Sequence, residues 1–201
     1  MTRKILLATG ALICVGICFA LARNMSPITG QWSISGRLDQ GRVQLTIERH
    51  SAHSSMSNSS PVPASQLRGL SRAQLDSPSS VVGFELVRDA GTLGFEGRLA
   101  NGNGGGSFAF SPRVDFPAEM RAPGFAALSS EMVFSMAIHD VNTGYVRQMT
   151  ALGTHPESGE QLVTMRIHDV SPAYIRKVRS QMGTSPSIDQ LVAFRIHGVM
   201  D

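Results

Sequence analysis

The feature that most constrains this chain is a repeat of 29 residues near its C-terminal end. His139, His168 and His197 recur at that interval. Their flanks align in phase: Met136-Ala137-Ile138-His139-Asp140-Val141, Met165-Arg166-Ile167-His168-Asp169-Val170 and Phe194-Arg195-Ile196-His197-Gly198-Val199. The following segment repeats as well, with Tyr145-Val146-Arg147-Gln148-Met149 matching Tyr174-Ile175-Arg176-Lys177-Val178. One step of 29 earlier, Phe116 to Met120 and Gly124 fall on Tyr145 to Met149 and Gly153, so the array starts with a half-repeat near Val114. Several residue types held in phase are the mark of stacked supersecondary units. A helix pair of this size cannot bury its apolar stripe alone, so its neighbours must cover it.

Local chemistry divides each unit into two helices. Ser158 with Gln161, and Ser187 with Gln190, have the capping-box spacing that satisfies free N–H groups at a helix start. Ser171-Pro172 sets a hydroxyl at an N-cap and a proline at the first helical position. Gly153 and Gly183 stand where a helix takes a left-handed stop. Ile175, Val178 and Met182 form one stripe, with Arg176, Lys177 and Arg179 expected to face away.

Residues 29–111 read as antiparallel β. Trp32, Ile34, Gly36 and Leu38 alternate with polar residues, as do Val43, Leu45 and Ile47, with Asp39-Gln40-Gly41 as the hairpin turn between them. Ser51 to Ser60 is polar and aperiodic and reads as a mobile loop. Ser65 to Ser71 fits one short helical turn. Two strands follow, through Val82, Phe84 and Leu86 and through Leu93 and Phe95, turning at Asp89-Ala90-Gly91. Asn101 to Gly106 reads as a second loop before a strand at Ser107 to Phe110. The expected fold is therefore α+β: a meander of about five strands, then about six helices over residues 114–201.

Residues 1–22 read as a signal peptide. Arg3 and Lys4 precede an apolar run from Ile5 to Phe19, and Ala20-Leu21-Ala22 supplies the small-x-small cleavage pattern. The apolar run is shorter than the roughly 20 residues of a spanning helix. The expected location is periplasmic or secreted, with an inner-membrane anchor over residues 5–22 as the alternative. Both cysteines, Cys14 and Cys18, lie in this segment, so the cleaved chain would carry no disulfide or reactive thiol. Removing Arg3 and Lys4 from the 18 basic residues leaves 16 against 15 acidic ones, a net charge of +1. Such a balance argues against nucleic acid as a partner.

These residues resemble a family of uncharacterised bacterial exported and membrane-anchored proteins. Its members carry tandem units of the kind Leu-Val-x-Met-Arg-Ile-His-Gly-Val-Thr-Pro-x-Tyr-Ile-Arg. They also resemble regions that follow the peptidase part of BlaR-type membrane regulators. The match is best over Glu160 to Arg179 and Asp189 to Val199, and weaker over Glu131 to Met149, where Asn142-Thr143-Gly144 departs from Ser/Thr-Pro-x. The segment from Phe84 to Gly97 resembles what precedes the units there, so the resemblance spans about residues 30 to 201. It implies no known activity, and the chain lacks the His-Glu-x-x-His of the peptidase.

The three repeat histidines invite a metal site, but equivalent positions in stacked helices lie roughly 10 Å apart, against Zn–N bonds of about 2 Å. A structural role near the helix C-terminus, where an imidazole meets the negative dipole end, fits them better. No metal and no cofactor is expected. Asp140 and Asp169 are adjacent to their histidines and so do not face them as a catalytic pair must; local capping suits them. His50, His53 and His155 read as loop residues. Glu85, Asp89 and Glu96 have no fixed separation and receive no acid–base role. No nucleophile elbow occurs, and the glycine run lacks the Lys-Ser/Thr of a phosphate loop. Arg147 and Arg176 are equivalent positions, as are Arg166 and Arg195. Together they form the candidate binding face of the array. The expected function is a non-catalytic exported module that binds an unknown protein or peptide of the cell envelope. The alternatives are an envelope hydrolase or small-ligand binder with its site between sheet and helices, and a membrane-anchored sensory fragment.

Overall fold

The structure is a computed structural model that describes residues 27–50, 55–125 and 128–200. Residues 1–22, the expected signal peptide with Cys14 and Cys18, and His53 lie outside the described residues. Seven strands form one antiparallel sheet: β1 (Ile28–Asp39), β2 (Arg42–His50), β3 (Ser55–Pro63), β4 (Leu67–Arg68), β5 (Ser80–Arg88), β6 (Gly91–Ala100) and β7 (Asn103–Pro112). Their order is β3-β2-β1-β7-β6-β5-β4. Helix α1 (Arg72–Asp76) lies between strands, and six helices follow the sheet: α2 (Phe116–Arg121), α3 (Ser130–Ile138), α4 (Thr143–Ala151), α5 (Gly159–Ile167), α6 (Pro172–Met182) and α7 (Ile188–Ile196).

Connectivity forces the sheet to curl. Strands β3 and β4 are its two edges, yet only Ala64–Gln66, a single 3-10 turn, separates them. Seven flat strands at about 4.8 Å spacing would hold those edges roughly 29 Å apart. The steps from Pro63 to Leu67 can reach only about 15 Å. The inward residues therefore line a trough. Trp32, Phe84 and Phe95 pack with ring centroids 4.7–6.0 Å apart.

Five expected strands become seven because β3 forms in the Ser-rich segment and β4 forms at Leu67–Arg68, paired with β5, within the segment Ser65 to Ser71 expected to be one helical turn; the glycine run only lengthens β7. The Ser-rich segment is not a loop from Ser55 onward: it pairs with β2 from His50↔Ser55 to Arg42↔Pro63. A polar strand is admissible at an edge, where one side faces water and the two prolines block further pairing. Thr46 and Gln44 side chains bond Ser59 Oγ at 2.8 Å each. The glycine run is likewise strand. Only Asn101-Gly102 turns, both left-handed, and Gly104–Gly106 pair inside β7. A Cβ on Gly106 would lie 2.0 Å from the Glu96 carbonyl oxygen. Gly106 also stands between Trp32 and Gly97 in a cross-strand row, and the Trp32 indole donates to Glu96 O at 3.1 Å. Glycine is needed there for close approach, not for flexibility. The hairpin at Gln40-Gly41 (φ 48° and 76°) is of the expected kind.

Helix α3 closes the trough. Its Phe134 stacks on Phe108 at 5.8 Å and meets Phe110 at 5.3 Å. Helix α5 packs on α3, α7 on α5, and α6 on α4. Sheet and helices share one continuous cluster of buried residues. Polar staples fix the junction. Asp89, in the β5–β6 turn, accepts from Arg113 Nη2 (2.8 Å) and from both the N–H (2.8 Å) and hydroxyl (2.9 Å) of Thr143, which begins α4. Arg113 also forks onto Glu119 at 2.6 and 2.7 Å. Arg49 pairs with Glu131 at the start of α3.

Helix ends follow the chemistry read from the sequence. Ser158, Ser171 and Ser187 accept from the third residue onward, and Gly153 and Gly183 are left-handed at φ 68°. Ser187 and Gln190 form the full capping box, whereas Gln161 turns instead to the Glu157 N–H at 2.8 Å. Arg179 does not face away from the stripe as expected. It folds back to the Leu152 carbonyl and to Thr154 Oγ1 (3.1 Å), because the end of α4 leaves carbonyls that need donors.

Candidate functional site

Helices α3, α5 and α7 end alike. His139, His168 and His197 are the C-caps, each with its backbone N–H bonded to the carbonyl four residues earlier. The next residue is left-handed in all three: Asp140 (φ 53°), Asp169 (φ 50°) and Gly198 (φ 61°). Val141, Val170 and Val199 then donate back to Met136, Met165 and Phe194 at 2.8–2.9 Å. These are Schellman closures, in which glycine is the usual left-handed residue. Aspartate there carries a backbone cost of about 1 kcal/mol.

The two aspartates use their carboxylates. Arg166 donates from Nε to His139 O (3.1 Å) and from Nη2 to Asp140 Oδ2 (3.0 Å), with its guanidinium 5.1 Å from the Tyr145 ring centre. Arg195 does the same to Asp169 O (3.1 Å) and Asp169 Oδ2 (3.3 Å), 3.9 Å from the Tyr174 ring centre. Tyr145 and Tyr174 hydroxyls donate to Val170 O and Val199 O at 2.8 and 3.2 Å. Arg166 and Arg195 thus clamp one helix end to the next, while Arg147 and Arg176 stand exposed on α4 and α6. The candidate binding arginines fall into these two pairs with different surroundings.

The histidine rings lie half-buried at His139 and His168 and exposed at His197. Burial, helped by the Arg166 charge, pushes the His139 imidazole below its ordinary pKa. No group of three or more His, Cys, Asp or Glu among the described residues is placed to hold a metal ion. His155 is exposed, and His50 Nδ1 lies 3.0 Å from Ser55 Oγ, a partner brought by the β2–β3 pairing.

One cleft, of about 190 Å³, opens where the sheet edge meets α3 and α5. Leu45, Ile47, Val62, Leu86 and Ile138 give it an apolar floor, and Arg42, Gln66, Arg88, Asp140 and Arg166 a polar rim. Asp140 is shared there: Arg166 takes one oxygen, and Arg88 Nε lies 3.6 Å from the other. Arg88 also donates to Gln66 Oε1 at 3.0 Å, which ties β5 to the turn joining the sheet edges. Its side chain is only 14% exposed, and its buried Nε has no hydrogen-bond partner. Desolvation is the main reason that its guanidinium sits below the ordinary arginine pKa; Asp140 opposes the shift and Arg166 adds to it.

Arg88 and Arg42 carry no local signal of a site in the sequence, and Asp140 reads there only as a local cap. These residues meet because the sheet curls, which brings β2, β5 and the end of α3 to one point. The only sequence signal was an aspartate where two of the three closures could have used glycine. Comparison with protein-family models, with curated proteins and with solved structures finds no match to this chain.

Proposed function

We propose that the chain is an exported, non-catalytic binding module of the bacterial envelope, which engages a protein or peptide along its helical array. The 29-residue segments act in this reading as stacked units that offer matching positions to a partner. One observation carries it. Ile167 and Ile196, at equivalent places at the ends of α5 and α7, are 53% and 56% exposed. Their counterpart Ile138, at the end of α3, is half-buried and lines the cleft. Large apolar side chains left bare at repeated positions, beside clamped arginines, suit a partner's apolar contacts with a charged rim.

Affinity capture from envelope extracts tests this. The Ile167→Asp/Ile196→Asp double variant is expected to lose a partner that the Arg147→Glu/Arg176→Glu variant retains. Loss with the arginine pair alone would move the face to α4 and α6. Unchanged capture by both variants would remove the array as the binding surface.

A second reading, a small-ligand binder with its site between sheet and helices, draws on the cleft. Arginines, one carboxylate and an apolar floor suit retention of a ligand.

A further inference from the structure

We propose that the cleft between the sheet edge and α3 binds a small carboxylate with a compact apolar body, its carboxylate on Arg88 and Arg42 and its body on Leu45, Leu86 and Ile138. The inference rests on the second reading above and names its ligand class.

Charge is the first support. Three guanidinium groups, on Arg42, Arg88 and Arg166, line the cleft against the single carboxylate of Asp140. Asp140 is divided between Arg166 at 3.0 Å and Arg88 at 3.6 Å, so neither arginine has a carboxylate of its own. The second support is the Arg88 side chain, only 14% exposed, whose Nε–H meets nothing nearer than Asp140 Oδ1 at 3.6 Å, beyond hydrogen-bond distance, so its guanidinium is under-satisfied where it lines the cleft. An under-satisfied buried donor is costly, and a carboxylate accepts from a guanidinium fork with matched geometry. Arg42, held through Nη2 to Pro61 O at 3.0 Å, keeps its other donors at the rim.

The floor decides the rest of the ligand. Leu45 and Leu86 are at most 2% exposed and present only hydrocarbon. A free phosphate would lose its hydration over such a floor and gain donors on one side only. A cavity of about 150 Å³ holds benzene, and the cleft measures about 190 Å³. An aromatic or branched monocarboxylate of benzoate size matches both the charge and the room.

The test titrates the purified protein with benzoate, benzyl alcohol and inorganic phosphate, by calorimetry and by methyl NMR of Leu45, Leu86 and Ile138. Benzoate is expected to bind one-to-one and shift those methyl signals, with benzyl alcohol at least about tenfold weaker, the worth of a charged hydrogen bond. Arg88→Gln should weaken benzoate by about tenfold or more, and Arg42→Gln by several-fold. Arg42 is at the exposed rim, so its variant decides the matter if Arg88→Gln does not fold. Equal binding of benzyl alcohol and benzoate, or benzoate affinity unchanged in the folded arginine variants, overturns the proposal. Phosphate binding more tightly than benzoate overturns the ligand class but leaves the cleft as a binding site. No saturable effect from any of the three overturns the class and the second reading together.

Discussion

Asp140 and Asp169 allow the same substitution to be read twice. Both are left-handed, at φ 53° and 50°. Asparagine accepts that conformation as readily as aspartate, so the backbone contribution of Asp→Asn cancels between the two sites. What differs is the charge each carboxylate serves. Asp140, 39% exposed, neutralises Arg88 and Arg166, which are 14% and 26% exposed. Asp169, 79% exposed, meets Arg195 alone. Removing one partner of a fully buried ion pair costs about 3–5 kcal/mol; with Asp140 partly in water, about 2 kcal/mol is expected for Asp140→Asn. Exposed pairs contribute about 0.2–1 kcal/mol, so Asp169→Asn should cost about 0.5 kcal/mol. For a chain of this length each kcal/mol moves the melting temperature by about 2–4 °C. Thermal unfolding followed by circular dichroism should then show losses of about 4–8 °C and about 1–2 °C respectively. Equal losses, or a larger loss at Asp169, would refute the assignment of Asp140 as the shared counter-ion of two desolvated arginines.

Other outcomes follow from the same geometry. Gly106→Ala would set a Cβ 2.0 Å from the Glu96 carbonyl, in backbone that cannot yield, and should cost about 3 kcal/mol or more; Gly83→Ala, whose Cβ meets nothing closer than 4.0 Å, should be near neutral in urea unfolding. Tyr145→Phe removes a buried bond to Val170 O and should cost about 1–2 kcal/mol by urea denaturation. Burial raises the Tyr145 phenol, so its contribution is complete below the unfolded tyrosine pKa of about 10 and is lost at higher pH; absorbance titration should show Tyr145 resisting ionisation past that value. The His139 imidazole is lowered by burial, so folding is favoured most above about pH 6.5 and weakens as pH falls through the folded pKa. In the His139→Gln variant this acid-side decline, read from melting temperatures at pH 7 and pH 5, should shrink.

Much of the fold was legible because its signals are local. Period-two alternation marks β1, β2, β5 and β6, and serine caps and left-handed glycines mark where helices begin and end. What escaped was set by partners distant in the chain. The Ser-rich segment has no apolar face, so nothing local distinguishes an edge strand from a loop; β2 supplies the pairing. Gly104–Gly106 look like loop glycines because nothing local shows that β1 and β6 pair with them, or that the Glu96 carbonyl lies where a Gly106 Cβ would stand. From the sequence, Arg179 is expected to face away from the apolar stripe, and Arg166 and Arg195 to stand on the binding face of the array. Each long side chain instead reaches a carbonyl at another helix end. The cleft was the least legible element, since Arg42, Arg88 and Asp140 come together only through the curl of the sheet.

Photocrosslinking in the cell envelope would show whether the helical array is the face that meets a partner. A photoreactive amino acid would be placed in turn at residues 167, 196 and 81. Val81 is 68% exposed, on strand β5, and serves as the control. One discrete protein adduct, the same from positions 167 and 196, and none from position 81, is expected. Adducts formed alike from all three positions, or from none, would contradict it.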